Sequence, residues 1–242
     1  MRISDPLKKF GIKSLVSAFS YRADGNMSLS LGDTADSLEN RRKFLSRIGV
    51  DYRQLITAKQ VHGKEVRYMA EENKASGALD YEDSIQDTDG FITDRKGVPL
   101  AILTADCLSV FIYDPVNRAI GLLHAGWRGT EQDISSAGIK AMSDKFGSRP
   151  ADLMVGFGPS IRSCCFEVDK DFKSNFSFGL VEREGRVFMD ISAINRRQLL
   201  SCGIKEENIF DPGLCTSCGG DFFSFRKEAG SAGRIISVMM LE

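Results

Sequence analysis

The chain has 242 residues, of which 42% are hydrophobic, which is enough to bury a substantial core, and a mixed fold of this length often forms one domain. Lys and Arg total 32 against 33 Asp and Glu, and the resulting net charge of −1 provides no long-range field to attract nucleic acid or an anionic membrane. We therefore expect small molecules as partners, and a single domain over residues 1–242.

The N-terminal stretch MRISDPLKKFGIKSLVSAFS contains no long apolar run followed by a small-residue cleavage site, which a secretory signal would need. No other stretch is apolar for long enough to span a bilayer. The sequence therefore predicts a cytoplasmic protein. Its six cysteines are too sparse for a disulfide framework, so in a reducing compartment we expect thiols or metal ligands.

Residues 37–50 space their large apolar side chains as a helix does, and Gly49 follows at a suitable end, so this segment predicts a helix. Residues 71–90 are acidic and poor in large apolar side chains, which indicates a solvated loop. Asp87 and Asp89 lie in this loop within the sequence DTDG, but no glutamate closes a calcium loop of EF-hand length. We assign both aspartates to a turn.

Short segments rich in β-branched and aromatic residues then alternate with Gly, Pro, Asn and Asp, and they predict strands over 90–94, 98–105, 108–114 and 119–125. Thr130, with Asp133 three positions later, resembles a helix N-cap, and the helical spacing that follows ends at Gly147. The remaining pattern predicts a strand over 153–159, a helix over 191–203 and a closing strand over 234–241. The predicted fold class is α+β, with a mixed, largely antiparallel sheet packed with helices.

Histidine is scarce, since the chain has only His62 and His124, and any neutral imidazole base or nitrogen ligand must come from these two. If residues 114–117 form a hairpin turn, residues whose numbers sum to 231 face each other, and Cys107 and His124 make that sum. Opposed residues have Cβ atoms roughly 5 Å apart. The pair could ligate one metal, form a thiol with its base, or be a buried thiol beside a hydrogen-bonded histidine.

Arg128 lies in the sequence GWRG just before the proposed helix, so its guanidinium and the first free N–H groups could bind an anion such as phosphate. The plain alternative is that Arg128 pairs with a local carboxylate. His62 lies in the sequence QVHG, where a strand ends or bends.

Together, five ordered motifs resemble the YfiH-like family, also called laccase-domain or purine nucleoside phosphorylase proteins. The motifs are QVHG (60–63), LTADCLSVFIYDP (103–115), LLHAGWRGT (122–130), GPSIRSCCFEV (158–168) and FDPGLCTSC…FFSFR (210–226). The resemblance implies that His62, Cys107 and His124 bind one zinc ion per chain. It also implies phosphorolysis of adenosine, inosine, guanosine and methylthioadenosine, together with adenosine deamination, so purine nucleosides and phosphate become the expected partners.

These ligand types suit a catalytic zinc, because three protein ligands leave one position open. Phosphorolysis must also hold phosphate near the anomeric carbon of the sugar, and Arg128, Arg22 and Lys59 are the cationic candidates, with Gln60 as a further substrate contact. Glu167 in CCFEV is a candidate proton carrier, although an exposed or salt-bridged glutamate is the ordinary interpretation. The sequence departs from the motif of the family beside Arg22, where Ala23-Asp24-Gly25 replaces a double glycine.

Alternative functions remain open at this stage. A copper polyphenol oxidase would need several coppers with many imidazole ligands, which two histidines disfavour. A metal-free hydrolase could use Cys107 and His124 as a dyad, and a non-enzymatic protein could hold zinc structurally, although such sites usually have four protein ligands. Cys215 and Cys218 could join Cys164 and Cys165 in a four-thiolate site, but adjacent cysteines rarely chelate one ion well and a second CxxC is missing.

Overall fold

The structure is a computed structural model that describes residues 5–242; residues 1–4 of the N-terminal stretch considered above lie outside the described residues. The described residues form twelve strands and six α-helices. The strands are β1 Leu15–Phe19, β2 Val66–Tyr68, β3 Gly90–Thr93, β4 Leu100–Thr104, β5 Leu108–Asp114, β6 Ala119–Ala125, β7 Met154–Phe157, β8 Glu167–Val168, β9 Leu180–Arg183, β10 Arg186–Met189, β11 Ile209–Phe210 and β12 Ile235–Leu241. The helices are α1 Thr34–Arg47, α2 Trp127–Glu131, α3 Ile134–Phe146, α4 Phe172–Asn175, α5 Ile191–Ser201 and α6 Phe225–Glu228.

Two sheets carry the core. A six-stranded sheet has the order β11-β7-β5-β6-β3-β2, and a three-stranded sheet has the order β1-β12-β4. All pairs are antiparallel except β11 with β7 and β2 with β3. A second three-stranded sheet, β8-β10-β9, lies apart from these pairings. The fold class is therefore α+β in a single domain, as the sequence predicts.

Alternate side chains of the central strands explain the layering. On β5, Phe111 packs with Ile102 and Met239 of the three-stranded sheet, whereas Ile112 packs with Ile139 of α3 and Leu199 of α5. Because both faces of β5 and β6 are covered, every residue of these two strands is buried. The outer face of the three-stranded sheet is covered by α1 through a third apolar cluster. This layering holds β5 and β6 rigidly at the centre of the molecule.

The hairpin of β5 and β6 differs from its prediction in register. Asp114 pairs with Ala119, so the connection has four residues and the numbers of facing residues sum to 233. Ser109, and not Cys107, therefore lies opposite His124. The carboxylate of Asp114 accepts hydrogen bonds from the backbone N–H groups of Val116 and Asn117, which stabilises the longer turn.

The predicted N-cap at Thr130 is wrong. A short helix, α2, already begins at Trp127, and α3 begins only after Asp133, whose φ of 69° interrupts the helix. The Thr130 hydroxyl is buried and instead accepts a hydrogen bond from the side-chain amide of Asn195 on α5. The predicted end of α3 at Gly147 is confirmed, with a left-handed φ of 70°.

The first predicted helix begins three residues earlier than its pattern indicates, because Asp33 caps it by accepting a hydrogen bond from the N–H of Asp36. The acidic segment 71–90 forms no strand before Gly90, as predicted. Within residues 5–242, no helix is both long and apolar enough to cross a membrane.

Candidate metal centre and its cavity

His62, Cys107 and His124 come together at one point of the fold. Their candidate ligand atoms all lie within 4.8 Å of one another, and the two imidazole rings are 4.8 Å apart at an angle of 72°. Cys107 lies in the link between β4 and β5, where the chain passes from one sheet to the other, and His124 is the penultimate residue of β6. The sequence prediction that Cys107 and His124 are neighbours therefore holds, although its register was wrong.

Asp89 organises the two histidines, a role that the sequence pattern around it does not predict. Its buried carboxylate accepts hydrogen bonds from the backbone N–H groups of Val61, His62 and Gly63 at 3.2, 3.0 and 2.7 Å. It also lies 2.7 Å from Nδ1 of His124. These bonds hold the loop of His62, whose φ of 60° is unusual for a non-glycine residue.

The contact with Asp89 also fixes the role of each nitrogen of His124. Because the Asp89 carboxylate can only accept, Nδ1 of His124 is assigned as the donor. Nε2 of His124 is then the nitrogen left for a metal ion. A carboxylate behind a ligating histidine is a common arrangement in metal sites, where it orients the ring.

The environment of Cys107 favours its thiolate form. Burial alone would raise the pKa of this thiol, but the charge of His124 and hydrogen bonds from both histidines outweigh burial and lower the pKa to about 6. Burial likewise opposes charge on His124, yet the Cys107 thiolate and Asp89 together raise the pKa of His124 to about 9. Without a metal, these mutual interactions favour a thiolate beside an imidazolium.

Gly126 makes room for the three side chains. A Cβ at this position would lie 2.8 Å from Cδ2 of His62 and 3.1 Å from Sγ of Cys107. Backbone and side chains therefore approach so closely here that only glycine fits without a shift. The absent Cβ leaves the cluster accessible from the start of α2.

The donor set fits zinc. Zinc takes thiolate sulfur and imidazole nitrogen in tetrahedral geometry, and three protein ligands are the pattern of a site that keeps one position open. The lowered pKa of Cys107 supplies the thiolate that such an ion needs. His62, Cys107 and His124 are the residues that would hold it.

The cluster opens into a cavity of about 700 Å³, within the size range of small-molecule sites. Aromatic side chains contribute much of the wall, namely Tyr81, Trp127, Phe166 and Phe225. Arg128, Arg226 and Arg234 line the same cavity. None of these three arginines forms a salt bridge within residues 5–242. The cavity therefore combines an apolar wall with three guanidinium groups, of which Arg234 interacts electrostatically with Cys107 and with the Asp106 carboxylate.

Arg128 lies at the exposed rim, where its guanidinium stacks 4.3 Å from the ring centroid of Trp127. The alternative in which Arg128 pairs with a local carboxylate is not what the structure has. Arg226 lies over Phe166 at 5.4 Å. Arg226 and Arg234 are not among the predicted site residues, although Arg226 ends the FFSFR sequence that contributes to the family resemblance.

The other predicted substrate contacts lie elsewhere or are engaged. Arg22 is outside the cavity lining, and its guanidinium binds the carboxylate of Glu228 and the carbonyl of Phe222. Lys59 is also outside the lining and pairs with Glu82.

Gln60 does line the cavity, but its side-chain amide bonds the backbone N–H and carbonyl of Leu103, each at 2.9 Å. Its visible role is to hold the end of β4. Glu167 lies outside the lining and forms a 3.2 Å salt bridge with Arg186, which is the ordinary interpretation that the sequence left open.

Comparison with known proteins gives a consistent set of matches. A family model described as multi-copper polyphenol oxidoreductase laccase matches residues 13–242. The YlmD protein of Bacillus subtilis (strain 168), named a purine nucleoside phosphorylase, is 32% identical over 217 residues, which are 84% of this chain and 76% of that protein. A protein named adenosine deaminase RL5, from an unknown prokaryotic organism, is 29% identical over 220 residues, 86% of this chain and 84% of that protein.

Among solved structures, the hypothetical protein YfiH of Bacillus licheniformis matches with a TM-score of 0.90 at 30% identity, covering 94% of this chain and 93% of that one. The structural similarity therefore extends over nearly the whole chain.

Proposed function

The chain belongs to the YfiH-like family, whose model is described as multi-copper polyphenol oxidoreductase laccase, and on that premise we propose that it is a zinc-dependent purine nucleoside phosphorylase that also deaminates adenosine. The proposed substrates are phosphate with adenosine, inosine, guanosine or methylthioadenosine. The observation that carries the proposal is the cluster of His62, Cys107 and His124 at the base of a cavity that three arginines also line. A cytoplasmic location remains the expectation from the sequence.

Phosphorolysis exchanges one bond for another at the anomeric carbon of the sugar: the bond to the purine nitrogen breaks, and a bond to a phosphate oxygen forms. Phosphate carries negative charge into the cavity, and the guanidinium groups of Arg128, Arg226 and Arg234 are the donors available to it. Holding phosphate against the sugar is mainly a task of positioning and charge stabilisation.

The aromatic wall suits the purine ring. Trp127, Phe166 and Phe225 line the cavity, and purines bind well against aromatic side chains because they are themselves flat and polarisable. Trp127 and Arg128 are adjacent at the start of α2, so purine and phosphate contacts would be set by the same short helix. This helix follows directly from His124 on β6.

Zinc, when bound by His62, Cys107 and His124, supplies a Lewis acid that makes water nucleophilic near neutral pH, which is the requirement of deamination. Asp89 keeps the His124 ring oriented and its Nδ1 protonated. Gly126 leaves the approach to the three ligands open. The three arginines therefore serve phosphorolysis only, whereas the cluster of three metal ligands serves both activities.

The family description names copper oxidation, but the residues favour another chemistry. Several coppers in one protein require many imidazole ligands, and both histidines of this chain are already in the one mixed cluster. Copper polyphenol oxidation is therefore disfavoured as the activity of this chain.

The reaction type is tested with inosine as substrate. Purified protein is incubated with inosine with and without phosphate, and the sugar product is identified. We expect base release to require phosphate and to yield ribose 1-phosphate. Free ribose formed at the same rate without phosphate would instead identify a hydrolase.

The role of Arg128 is tested by Arg128→Met, which keeps a long stem but removes the cation. We expect phosphorolysis to fall by about one order of magnitude or more, with zinc content unchanged and adenosine deamination affected less, because deamination uses no phosphate. The matched control is Arg118→Met, since Arg118 is exposed on the turn between β5 and β6, at the opposite end of β6 from His124. Equal loss of both activities would show that Arg128 serves the nucleoside or the fold, and would leave phosphate to Arg226 and Arg234.

A metal-free cysteine hydrolase is the second candidate, because Cys107 and His124 form a thiolate and imidazolium pair in the absence of metal. The two functions differ in what inactivates them. A metal chelator should abolish a zinc enzyme and spare a cysteine hydrolase, whereas iodoacetamide should alkylate Cys107 rapidly only when no zinc protects it. A zinc protein without turnover of any nucleoside would correspond to the remaining structural alternative.

A further inference from the structure

Four cysteines outside the cavity cluster meet in a second group. The Sγ atoms of Cys164, Cys165, Cys215 and Cys218 all lie within 4.8 Å of one another. Cys164 is 3.5 Å from Cys215 and 3.2 Å from Cys218, and Cys165 is 3.3 Å from Cys218. The sixth cysteine, Cys202, is not part of the group and contacts the hydroxyl of Ser136.

These separations are close to what one ion demands of four sulfurs. A zinc ion with Zn–S bonds of about 2.3 Å in tetrahedral geometry holds its sulfurs roughly 3.8 Å apart. Three of the Sγ–Sγ separations, 3.2, 3.3 and 3.5 Å, are somewhat shorter than that value, and none exceeds 4.8 Å. Small displacements would therefore bring the four thiols to the spacing that the ion needs. The sequence argument that adjacent cysteines chelate poorly is overcome here because the turn at residues 163–165 directs both thiols toward Cys218.

The two loops are joined without any help from the thiols. Arg162 forms two hydrogen bonds of 2.7 and 2.6 Å with the carboxylate of Asp211. Ser160 bonds the backbone of Leu214 and Thr216 at 3.2 and 3.1 Å. Because backbone and side-chain contacts already fix the loops, the four thiols are held close together before an ion binds. Binding therefore loses little conformational entropy of the loops.

The same loops reach the cavity. Asp106, next to Cys107, accepts hydrogen bonds from the hydroxyl of Thr216 at 2.6 Å and from the backbone N–H of Arg226 at 2.7 Å. Its carbonyl accepts one from the N–H of Ile161 at 2.8 Å. A clamp on these loops therefore steadies the link that carries Cys107 and the part of the wall that carries Arg226.

We propose that Cys164, Cys165, Cys215 and Cys218 bind a second zinc ion, which is structural and ties the loop at 160–166 to the loop at 211–218. Four protein ligands close the coordination sphere, which is the pattern of structural zinc, whereas the three-ligand cluster in the cavity keeps a position open. The proposal is independent of the proposed function, because it concerns a separate set of residues with its own metal count.

The test is the zinc content of protein purified without added metal, measured by inductively coupled plasma mass spectrometry. We expect about two zinc ions per wild-type chain, about one in Cys107→Ser, and about one in Cys215→Ser/Cys218→Ser, because each change disables one thiolate site. Cys202→Ser is the matched control and should keep both ions. A folded Cys107→Ser chain that holds no zinc, or that holds iron or copper in its place, overturns the proposal.

X-ray absorption at the zinc edge keeps the test decisive even if the double cysteine variant fails to fold. In the Cys107→Ser chain, the ion that remains should show only sulfur neighbours, at about 2.3 Å. Nitrogen neighbours would place that ion at the histidines and overturn the four-thiolate site. A disulfide among the four cysteines in protein purified without air, detected by peptide mass, would overturn it as well.

Discussion

Asp89 shows how much of a site can depend on a residue outside the cavity lining. Its carboxylate accepts four hydrogen bonds, from the N–H groups of Val61, His62 and Gly63 and from Nδ1 of His124. The backbone carbonyl of the same residue accepts a further bond, of 2.7 Å, from the N–H of His124. Asp89 therefore sets the position of both histidines, and its effect should be measurable in metal affinity.

We expect Asp89→Asn to weaken zinc binding at the histidine cluster by roughly 10- to 100-fold, because the amide replaces one accepting oxygen with a donor that faces N–H groups. Competition with a chelating indicator measures the affinity. Asp87→Asn is the control, since Asp87 is exposed and its φ of 48° suits asparagine. Unchanged affinity in the Asp89 variant would mean that the loop holds His62 without this carboxylate.

Gly126 makes a steric contribution at the same scale. In Gly126→Ala, the new Cβ would lie 2.8 Å from Cδ2 of His62, so one ligand must move. We expect a folded chain that loses one zinc relative to wild type, together with both proposed activities. Gly230→Ala serves as the control, because nothing lies within 4 Å of a Cβ there. Full zinc content in Gly126→Ala would show that the cluster adapts to the methyl group.

At the scale of elements, the Arg162–Asp211 pair is the main ionic link between the two cysteine-bearing loops. Burial alone would raise the pKa of Asp211, but the hydrogen bonds and charge of Arg162 outweigh it and lower the pKa. A carboxylate with a lowered folded-state pKa stabilises the fold above its unfolded pKa of about 3.9, and this contribution is lost as the pH falls further.

We therefore expect Asp211→Asn to lower the free energy of unfolding by about 1–3 kcal/mol at pH 7, since it leaves a largely buried guanidinium without its partner. The difference from wild type should shrink as the pH falls below about 4. Urea unfolding at several pH values measures it. Asp144→Asn, which breaks an exposed pair with Lys140 on α3, should cost less than about 1 kcal/mol at every pH. A pH-independent difference for Asp211→Asn would show that the charge plays no part.

The sequence predicts the bounds of an element well where an apolar run ends at clear turn residues. The predicted bounds of β5 and β6 match the structure at both ends, because their unbroken apolar runs stop at turn residues. The hairpin register failed because the Asp114 side chain supports a turn two residues longer than the one assumed. A shift of two residues leaves each side chain on the same face of its strand. The prediction that Cys107 and His124 lie close together therefore holds despite the wrong register.

The candidate site was predictable only in part. The scarcity of histidine pointed to His62 and His124, but an aspartate in an acidic loop looks solvated, and only the fold brings Asp89 beneath both rings. Arg234 reaches the cavity because it directly precedes β12, which pairs between β1 and β4, and Arg226 is held there by the hydrogen bond from its backbone N–H to Asp106. Such long-range pairing leaves no signal in local spacing.

At the scale of the whole molecule, the two cysteine-containing clusters bring together parts of the chain that are distant in sequence. The cavity cluster joins the loop before β2, the link between the two sheets and the end of β6. The four-cysteine cluster joins the loops that follow β7 and β11. An ion that binds only the folded chain stabilises it by mass action, so both proposed zinc sites should appear in the unfolding equilibrium.

The last prediction follows from that linkage. When the free zinc concentration is well above the dissociation constant of a site, that site should add about 1.4 kcal/mol to the free energy of unfolding for every tenfold rise in free zinc, provided that the unfolded chain binds zinc weakly. Urea unfolding in zinc buffers should therefore give a wild-type slope about twice that of Cys107→Ser or of Cys215→Ser/Cys218→Ser. Cys202→Ser should retain the wild-type slope. If wild type and Cys107→Ser have the same slope, the cavity cluster does not bind zinc in the folded protein. If wild type and Cys215→Ser/Cys218→Ser have the same slope, the four cysteines do not bind zinc. Comparison of these chains thus measures each site separately, without reference to catalysis.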